Sequence, residues 1–134
     1  FRRVLFRSGA FDHAVTPSHD RFGSDGYMLN SAEMVVFWDA YLRGEADYAD
    51  PLAVPLRADL SGLPPAFLCI AACDILVDGN LAMAASLRAA GVDVTARSYE
   101  GASHSFLEAV SISSLADLAF TETAVWLSRH LSRA

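Results

Sequence analysis

The sequence lacks the features that mark several common classes of protein. Its two cysteines among 134 residues are too few for a disulfide framework, and no further Cys or His stands at the spacing of metal ligands. Basic charge is scarce, since the formal net charge is −6 at pH 7, and this argues against a nucleic-acid partner. No apolar run approaches the ~18 residues that a membrane span requires.

Two functional motifs are also absent. No serine stands in a Gly-x-Ser-x-Gly elbow, and no glycine-rich loop is present to hold a phosphate, which argues against a nucleotide-binding domain. The nearest approach to an elbow is the segment 101–105, which lacks the final glycine. Its Ser103 adjoins the histidine that it would need as a base, so Ser103 is a poor candidate for a nucleophile.

What is present is a strongly apolar chain, 53% hydrophobic and 19% charged. This composition argues against disorder and fits an interior part of a larger globular domain, whose strands are buried on both faces. Cys69 and Cys73 lie in or beside one apolar run, and we expect both to be reduced core residues.

Residues 1–8 differ from the rest, with three arginines in an otherwise apolar segment. There is no initiator methionine and no signal-peptide architecture, and the octapeptide resembles translated sequencing-adapter sequence. We therefore expect residues 1–8 to be a foreign segment, and residues 9–134 to be the carboxy-terminal part of a longer protein.

The hydrophobic pattern of the second half alternates between strand and helix. It predicts a buried strand at 66–71, a helix at 78–90, a half-covered strand at 92–99 and a long helix at 111–131. A strand-helix-strand-helix order implies parallel strands with crossover helices, and therefore an α/β fold.

The first half is less regular. Residues 12–30 and the proline-rich residues 44–65 are typical of loops. Between them, residues 31–43 predict a helix with an aromatic and methionine stripe at Met34, Phe37, Trp38 and Tyr41. Core packing is the favoured interpretation of this stripe, and the lining of an acyl pocket is the alternative.

Asp74 and His104 each follow a predicted strand, by about two and about five residues. Because parallel neighbours end at the same edge of a sheet, we expect the two side chains to meet at hydrogen-bond distance. An acid followed by a histidine is the second and third part of a Ser…Asp…His triad. The carboxylate would orient the imidazole, which would take the proton of a serine hydroxyl.

The residues alone leave other interpretations open. Asp74 could instead cap the turn before the following helix, Asp78 could be the functional acid, and His104 could be an ordinary loop histidine. The other histidines, which we expect to be solvated or to lie in a last helical turn, are His13, His19 and His130.

Several segments between Gly9 and Leu131 together resemble one known family. They are Gly23-Ser24-Asp25-Gly26-Tyr27, Phe37-Trp38, Tyr41-Leu42, residues 50–56, residues 60–66, Ala89-Ala90-Gly91-Val92 and the two segments around Asp74 and His104. This combination resembles the hormone-sensitive-lipase-like branch of the α/β-hydrolases, which includes many bacterial carboxylesterases.

The resemblance assigns roles to the residues of these last two segments. The family's acid segment usually reads D-P-L-x-D, so that Asp74 matches the triad acid and Asp78 a structural aspartate. Its histidine segment usually reads H-G-F, which matches His104 and Phe106. In this chain Ile75 replaces the proline and a serine replaces the glycine.

The family's H-G-G-G oxyanion segment and G-D-S-A-G elbow have no counterpart in this sequence. Residues 9–12 resemble the end of the strand that follows those elements. The resemblance therefore implies the carboxy-terminal portion of an α/β-hydrolase fold, with about three parallel strands and flanking helices.

The function that the resemblance implies is that of a serine carboxylesterase acting on small-molecule esters of small or medium acyl chains. This chain would supply the catalytic Asp74 and His104 without a metal or cofactor, and would be inactive alone. We also expect a cytoplasmic location and a homodimer through the last strand and helix. The alternative is a non-catalytic interaction or dimerisation module with a hydrolase-like fold.

Overall fold

Two parallel strands form the centre of the structure, a computed structural model that describes residues 9–132. The segment 1–8, predicted to be foreign, lies outside the described residues. The helices and strands, in chain order, are α1 (Pro17–Phe22), α2 (Ser31–Tyr41), β1 (Ala66–Cys73), α3 (Val77–Ala89), β2 (Val94–Ser103) and α4 (Ser114–Leu131). Short 3-10 helices lie at Glu45–Ala49, Pro55–Arg57 and Phe106–Ala109.

Strand β1 is buried on both faces, as its continuous apolar sequence predicts. Its alternate side chains divide between two cores because successive residues of a strand point to opposite faces. Leu68 and Ile70 pack against the apolar side of α3. Phe67 and Cys69 pack against Trp126 of α4.

A third apolar cluster connects α2 to the end of β1. Met34 and Trp38 of α2 pack with Ile75 and Leu76, which lie in the turn between β1 and α3. Half of the predicted stripe on α2 is therefore core. The same cluster holds the segment that precedes β1 against the carboxyl edge of the sheet.

The pairing of the two strands changes register near their carboxyl ends. Ala71 pairs with Tyr99, whereas Cys73 pairs with Ser103, so one residue of β1 lies opposite three residues of β2. Gly101, with a φ of 81°, lies in this bulge, because a left-handed backbone favours glycine. The bulge sets Ser103 beside Cys73, and hence the residues that follow each strand lie side by side.

The described residues contain two strands rather than the expected three. Residues 9–12, predicted to end a further strand, bond to other partners. The amide and carbonyl of Gly9 bond to the side chain of buried Asn80 at 3.3 and 3.1 Å, and the carbonyl of Phe11 accepts from the amide of Leu56. A side chain and a loop thus bond three of the backbone groups that a neighbouring strand could otherwise bond.

The composition of residues 12–30 predicts a loop, and this prediction is wrong for the six residues of α1. Pro17 is its first residue, where the fixed φ of proline suits a helix start. A helix this short has no hydrophobic periodicity to reveal it. Within residues 9–132, no helix has both the length and the apolar character to cross a bilayer.

We predict that Gly101→Ala lowers the free energy of unfolding by about 1–2 kcal/mol, because alanine disfavours the left-handed backbone. Gly79→Ala is the matched control. Neither added Cβ meets an atom within 4 Å, and Gly79 is helical, so alanine there should stabilise by about 0.5–1 kcal/mol. Urea denaturation of the two variants measures both effects. Equal free energies of unfolding for the two variants would contradict a left-handed backbone at Gly101.

The two cysteines should differ in reactivity. Burial, with a contribution from the charge of Glu122, raises the pKa of the Cys69 thiol to about 12, and only the thiolate is nucleophilic. Cys73 is half-buried at the end of β1. We expect iodoacetamide to label Cys73 first and Cys69 only after unfolding in urea, as read by peptide mass mapping. Equal labelling rates in the native chain would show that β1 is not covered.

Candidate active site

The carboxyl ends of β1 and β2 bring together the two residues that the sequence predicts as a pair. Asp74 directly follows β1 and His104 directly follows β2. The Nδ1 atom of His104 lies 3.0 Å from Oδ2 of Asp74. Asp74 is only 4% exposed, whereas the His104 side chain is 32% exposed. A buried carboxylate therefore contacts a histidine that remains accessible.

Both oxygens of Asp74 have a partner. The Leu76 amide donates to Oδ1 at 3.0 Å, and His104 occupies Oδ2. Because a carboxylate only accepts hydrogen bonds, Nδ1 of His104 carries the proton that it donates. In the neutral ring, Nε2 is then the acceptor nitrogen. This tautomer is the one that a general base needs.

Asp78, the alternative candidate for the acid, has other partners. Its Oδ2 accepts from the backbone amide of Ser18 at 2.7 Å, and its Oδ1 accepts from the guanidinium of Arg21 at 2.9 Å. Asp78 thus binds α1, and the structure pairs His104 with Asp74 instead. Ser18 is a residue that the sequence reasoning missed.

The turn that carries His104 has an unusual backbone. Ser105 adopts φ 59° and ψ 17°, a left-handed conformation in which non-glycine residues are uncommon. Its carbonyl accepts from the Glu108 amide at 2.9 Å and begins a 3-10 turn. The ring of Phe106 packs on that of Tyr99, with centroids 5.5 Å apart. Ser105 stands where the family that the sequence resembles usually has glycine.

His104 faces an apolar cleft of about 730 Å³. One wall comes from α2, where Phe37 and Tyr41 point into the cleft beside Met34 and Trp38. The opposite wall is the turn that follows His104. The stripe on α2 therefore serves both interpretations, since part of it is core and part lines the space next to the histidine.

The remaining histidines lie elsewhere. The ring of His13 packs against Tyr48 and Trp38, with centroids 4.3 and 6.1 Å away, and its side chain is 29% exposed, so His13 is only partly solvated. His130 lies in the last turn of α4, as expected, with Nε2 3.5 Å from Oδ2 of Asp93. Within residues 9–132, no group of three His, Cys, Asp or Glu side chains could hold a metal ion.

Comparisons with known proteins agree with this geometry. The family model of the alpha/beta hydrolase fold matches residues 4–108. The chain is 36% identical over 116 residues to an ethyl acetate hydrolase of Pseudomonas putida, a match that covers 86% of the chain and 36% of that protein. It is 37% identical over 122 residues to the carboxylic ester hydrolase LipN of Mycobacterium tuberculosis, covering 90% of the chain and 32% of that protein.

Solved structures give the same result. A thermostable esterase from Pseudomonas putida superimposes with a TM-score of 0.84 at 34% identity, covering 96% of this chain and 41% of that one. An esterase of Pyrobaculum calidifontis superimposes with a TM-score of 0.83 at 30% identity, covering 91% and 40%.

The chain spans about a third of the length of the curated relatives it matches. The resemblance seen in the sequence and the predicted α/β fold class are both confirmed by the matches. The strands, the turn after β1 and the turn after β2 all lie within the matched residues. The chain belongs to the alpha/beta hydrolase fold family.

Proposed function

We propose that this chain contributes the acid and the histidine of a serine-type carboxylic ester hydrolase acting on small-molecule esters. One observation carries the proposal: the 3.0 Å contact between buried Asp74 and accessible His104, at the edge of the sheet where sites of α/β proteins form. The apolar cleft beside His104 supports an ester substrate with an apolar acyl or alcohol group.

In this mechanism His104 moves a proton twice. Its Nε2 takes the proton of a serine hydroxyl while the serine oxygen bonds to the ester carbonyl carbon, and it then gives that proton to the departing alcohol. His104 then takes a proton from a water molecule as the water oxygen bonds to the acyl carbon, and it gives that proton to the serine oxygen as the bond between serine and the acyl group breaks and the carboxylic acid leaves. Asp74 holds the imidazole orientation and stabilises the imidazolium that forms in each half. The mechanism uses no metal ion or cofactor.

The serine and the oxyanion donors are proposed to come from a preceding segment of a longer polypeptide. The sequence has no Gly-x-Ser-x-Gly elbow, and it spans about a third of its curated relatives. In this proposal residues 9–134 are the carboxy-terminal part of the hydrolase domain, and the 134-residue chain alone is inactive. The cytoplasmic location stays a prediction of the sequence.

We further propose that two copies associate through β2 and α4. Within the described part of the chain, β2 pairs with β1 along one side, and an edge strand with an open side is a ready partner for another chain. Apolar side chains are also exposed on α4, among them Leu118 at 48% and Val125 at 46%. This association is compatible with catalysis and is also what a purely dimerising module would use.

The catalytic proposal predicts the behaviour of a chimera in which residues 9–132 replace the matching segment of the Pseudomonas putida ethyl acetate hydrolase. We expect the chimera to hydrolyse p-nitrophenyl acetate. Asp74→Asn should lower kcat about 10⁴-fold because the histidine loses its orienting carboxylate, and His104→Ala should lower it at least as much. Initial rates at saturating ester give these values.

The chain supplies a matched control in its second Asp–His pair. Asp93→Asn makes the same substitution at the opposite end of β2, and it should leave kcat within about two-fold, because the Asp93 side chain is 72% exposed and such a pair contributes little. A chimera that folds but loses no activity on Asp74→Asn would overturn the proposal.

The association proposal predicts that Leu118→Glu shifts the chain from dimer to monomer, because a carboxylate cannot be buried between two copies without a partner. Leu81→Glu is the control, because Leu81 is 49% exposed on α3. Sedimentation equilibrium measures both variants and the unchanged chain. A monomeric unchanged chain, or equal effects of the two substitutions, contradicts association through α4.

A further inference from the structure

One peptide unit next to the proposed acid is bonded on both sides. The unit joins Ile75 to Leu76. Its N–H belongs to Leu76 and donates to Oδ1 of Asp74 at 3.0 Å, whereas its carbonyl belongs to Ile75 and accepts from the hydroxyl of Ser18. In a trans peptide these two groups point in opposite directions. The peptide therefore links the hydroxyl of Ser18 to the carboxylate of Asp74.

Ser18 is fully buried, and its hydroxyl and its backbone amide both have partners. Its hydroxyl lies 2.8 Å from that of Thr16 and donates to the Ile75 carbonyl. Its backbone amide, one of the first amides of α1 and so without a partner inside the helix, donates to Asp78 at 2.7 Å. Ser18 thus contacts the turn from Asp74 to Asp78 at two separate points.

We propose that Ser18 is a positioning residue for Asp74 and acts through the Ile75–Leu76 peptide. The hydrogen bond to the carbonyl fixes the plane of the peptide, and with it the direction in which its N–H meets Oδ1. With Oδ1 held, Oδ2 faces His104. The catalytic meaning of this role rests on the proposed function, but the physical coupling between Ser18 and His104 does not.

The two contacts of Ser18 allow positioning to be separated from plain structural support. Ser18→Ala removes the bond to the peptide and keeps the amide bond to Asp78. Asp78→Asn weakens the contacts of that side chain with Ser18 and Arg21 and keeps the bond to the peptide. Both variants loosen α1, but only the first acts on the peptide that holds Asp74.

The first test uses the 134-residue chain and ¹⁵N NMR of the His104 ring and the Leu76 amide. A well-held Asp74 carboxylate favours protonated His104, so Ser18→Ala should lower the pKa of His104 by about 0.5 and move the Leu76 amide proton upfield. Asp78→Asn should lower the unfolding midpoint and leave both signals in place. Ser18→Cys, similar in size with a weak S–H donor, should shift both signals less, and it decides the outcome if the alanine variant does not fold.

The second test uses the chimera with the Pseudomonas putida ethyl acetate hydrolase. Ser18→Ala should lower kcat roughly three- to ten-fold at unchanged KM. The acidic limb of kcat/KM should move to lower pH, because His104 must be unprotonated to act as a base. If Ser18→Ala changes stability alone, or if Asp78→Asn shifts the His104 pKa equally, the positioning role is overturned. If Ser18→Ala shifts the His104 pKa but the chimera without that substitution hydrolyses no ester, the positioning role is supported and the proposed function is overturned.

Discussion

The parallel pairing of β1 with β2 is the constraint on which the rest of this structure depends. Asp74 and His104 are 30 residues apart in sequence, and they meet because parallel strands end at the same edge. An antiparallel pairing would place them at opposite ends of the sheet. Parallel pairing also requires a crossover, which α3 provides. The bulge at Gly101 shifts the register, so that Asp74, which follows β1, lies beside His104, which follows β2.

Burial decides what an aspartate–histidine pair does. Asp93 and His130 approach to 3.5 Å, but the Asp93 side chain is 72% exposed, and such a pair contributes little to stability. Asp74 is buried, and a buried carboxylate is costly unless each oxygen is bonded. The Leu76 amide and His104 meet that requirement. The contacts that make the ionised acid tolerable are therefore the same ones that orient the imidazole.

Much of this arrangement could be predicted from the sequence, since strands and crossover helices leave periodic patterns and strand ends locate the Asp74 and His104 side chains. What could not be predicted depends on contacts between distant segments. Helix α1 is too short to show a period, and Ser18 acquires its role only when α1 meets the turn after β1. Residues 9–12 resemble the end of a strand in sequence, but their backbone bonds to the side chain of Asn80 and to a loop. No local sequence pattern indicates these contacts.

The left-handed backbone of Ser105 has a kinetic consequence. A non-glycine residue held in this region stores about 1–2 kcal/mol, and relaxation of the turn would carry the imidazole away from Asp74. The packing of Phe106 on Tyr99 opposes that relaxation and stabilises the turn. We therefore expect the lifetime of the aspartate–histidine contact to follow local opening around Phe106, because local opening requires less free energy than global unfolding. Warming should separate the pair before the sheet melts.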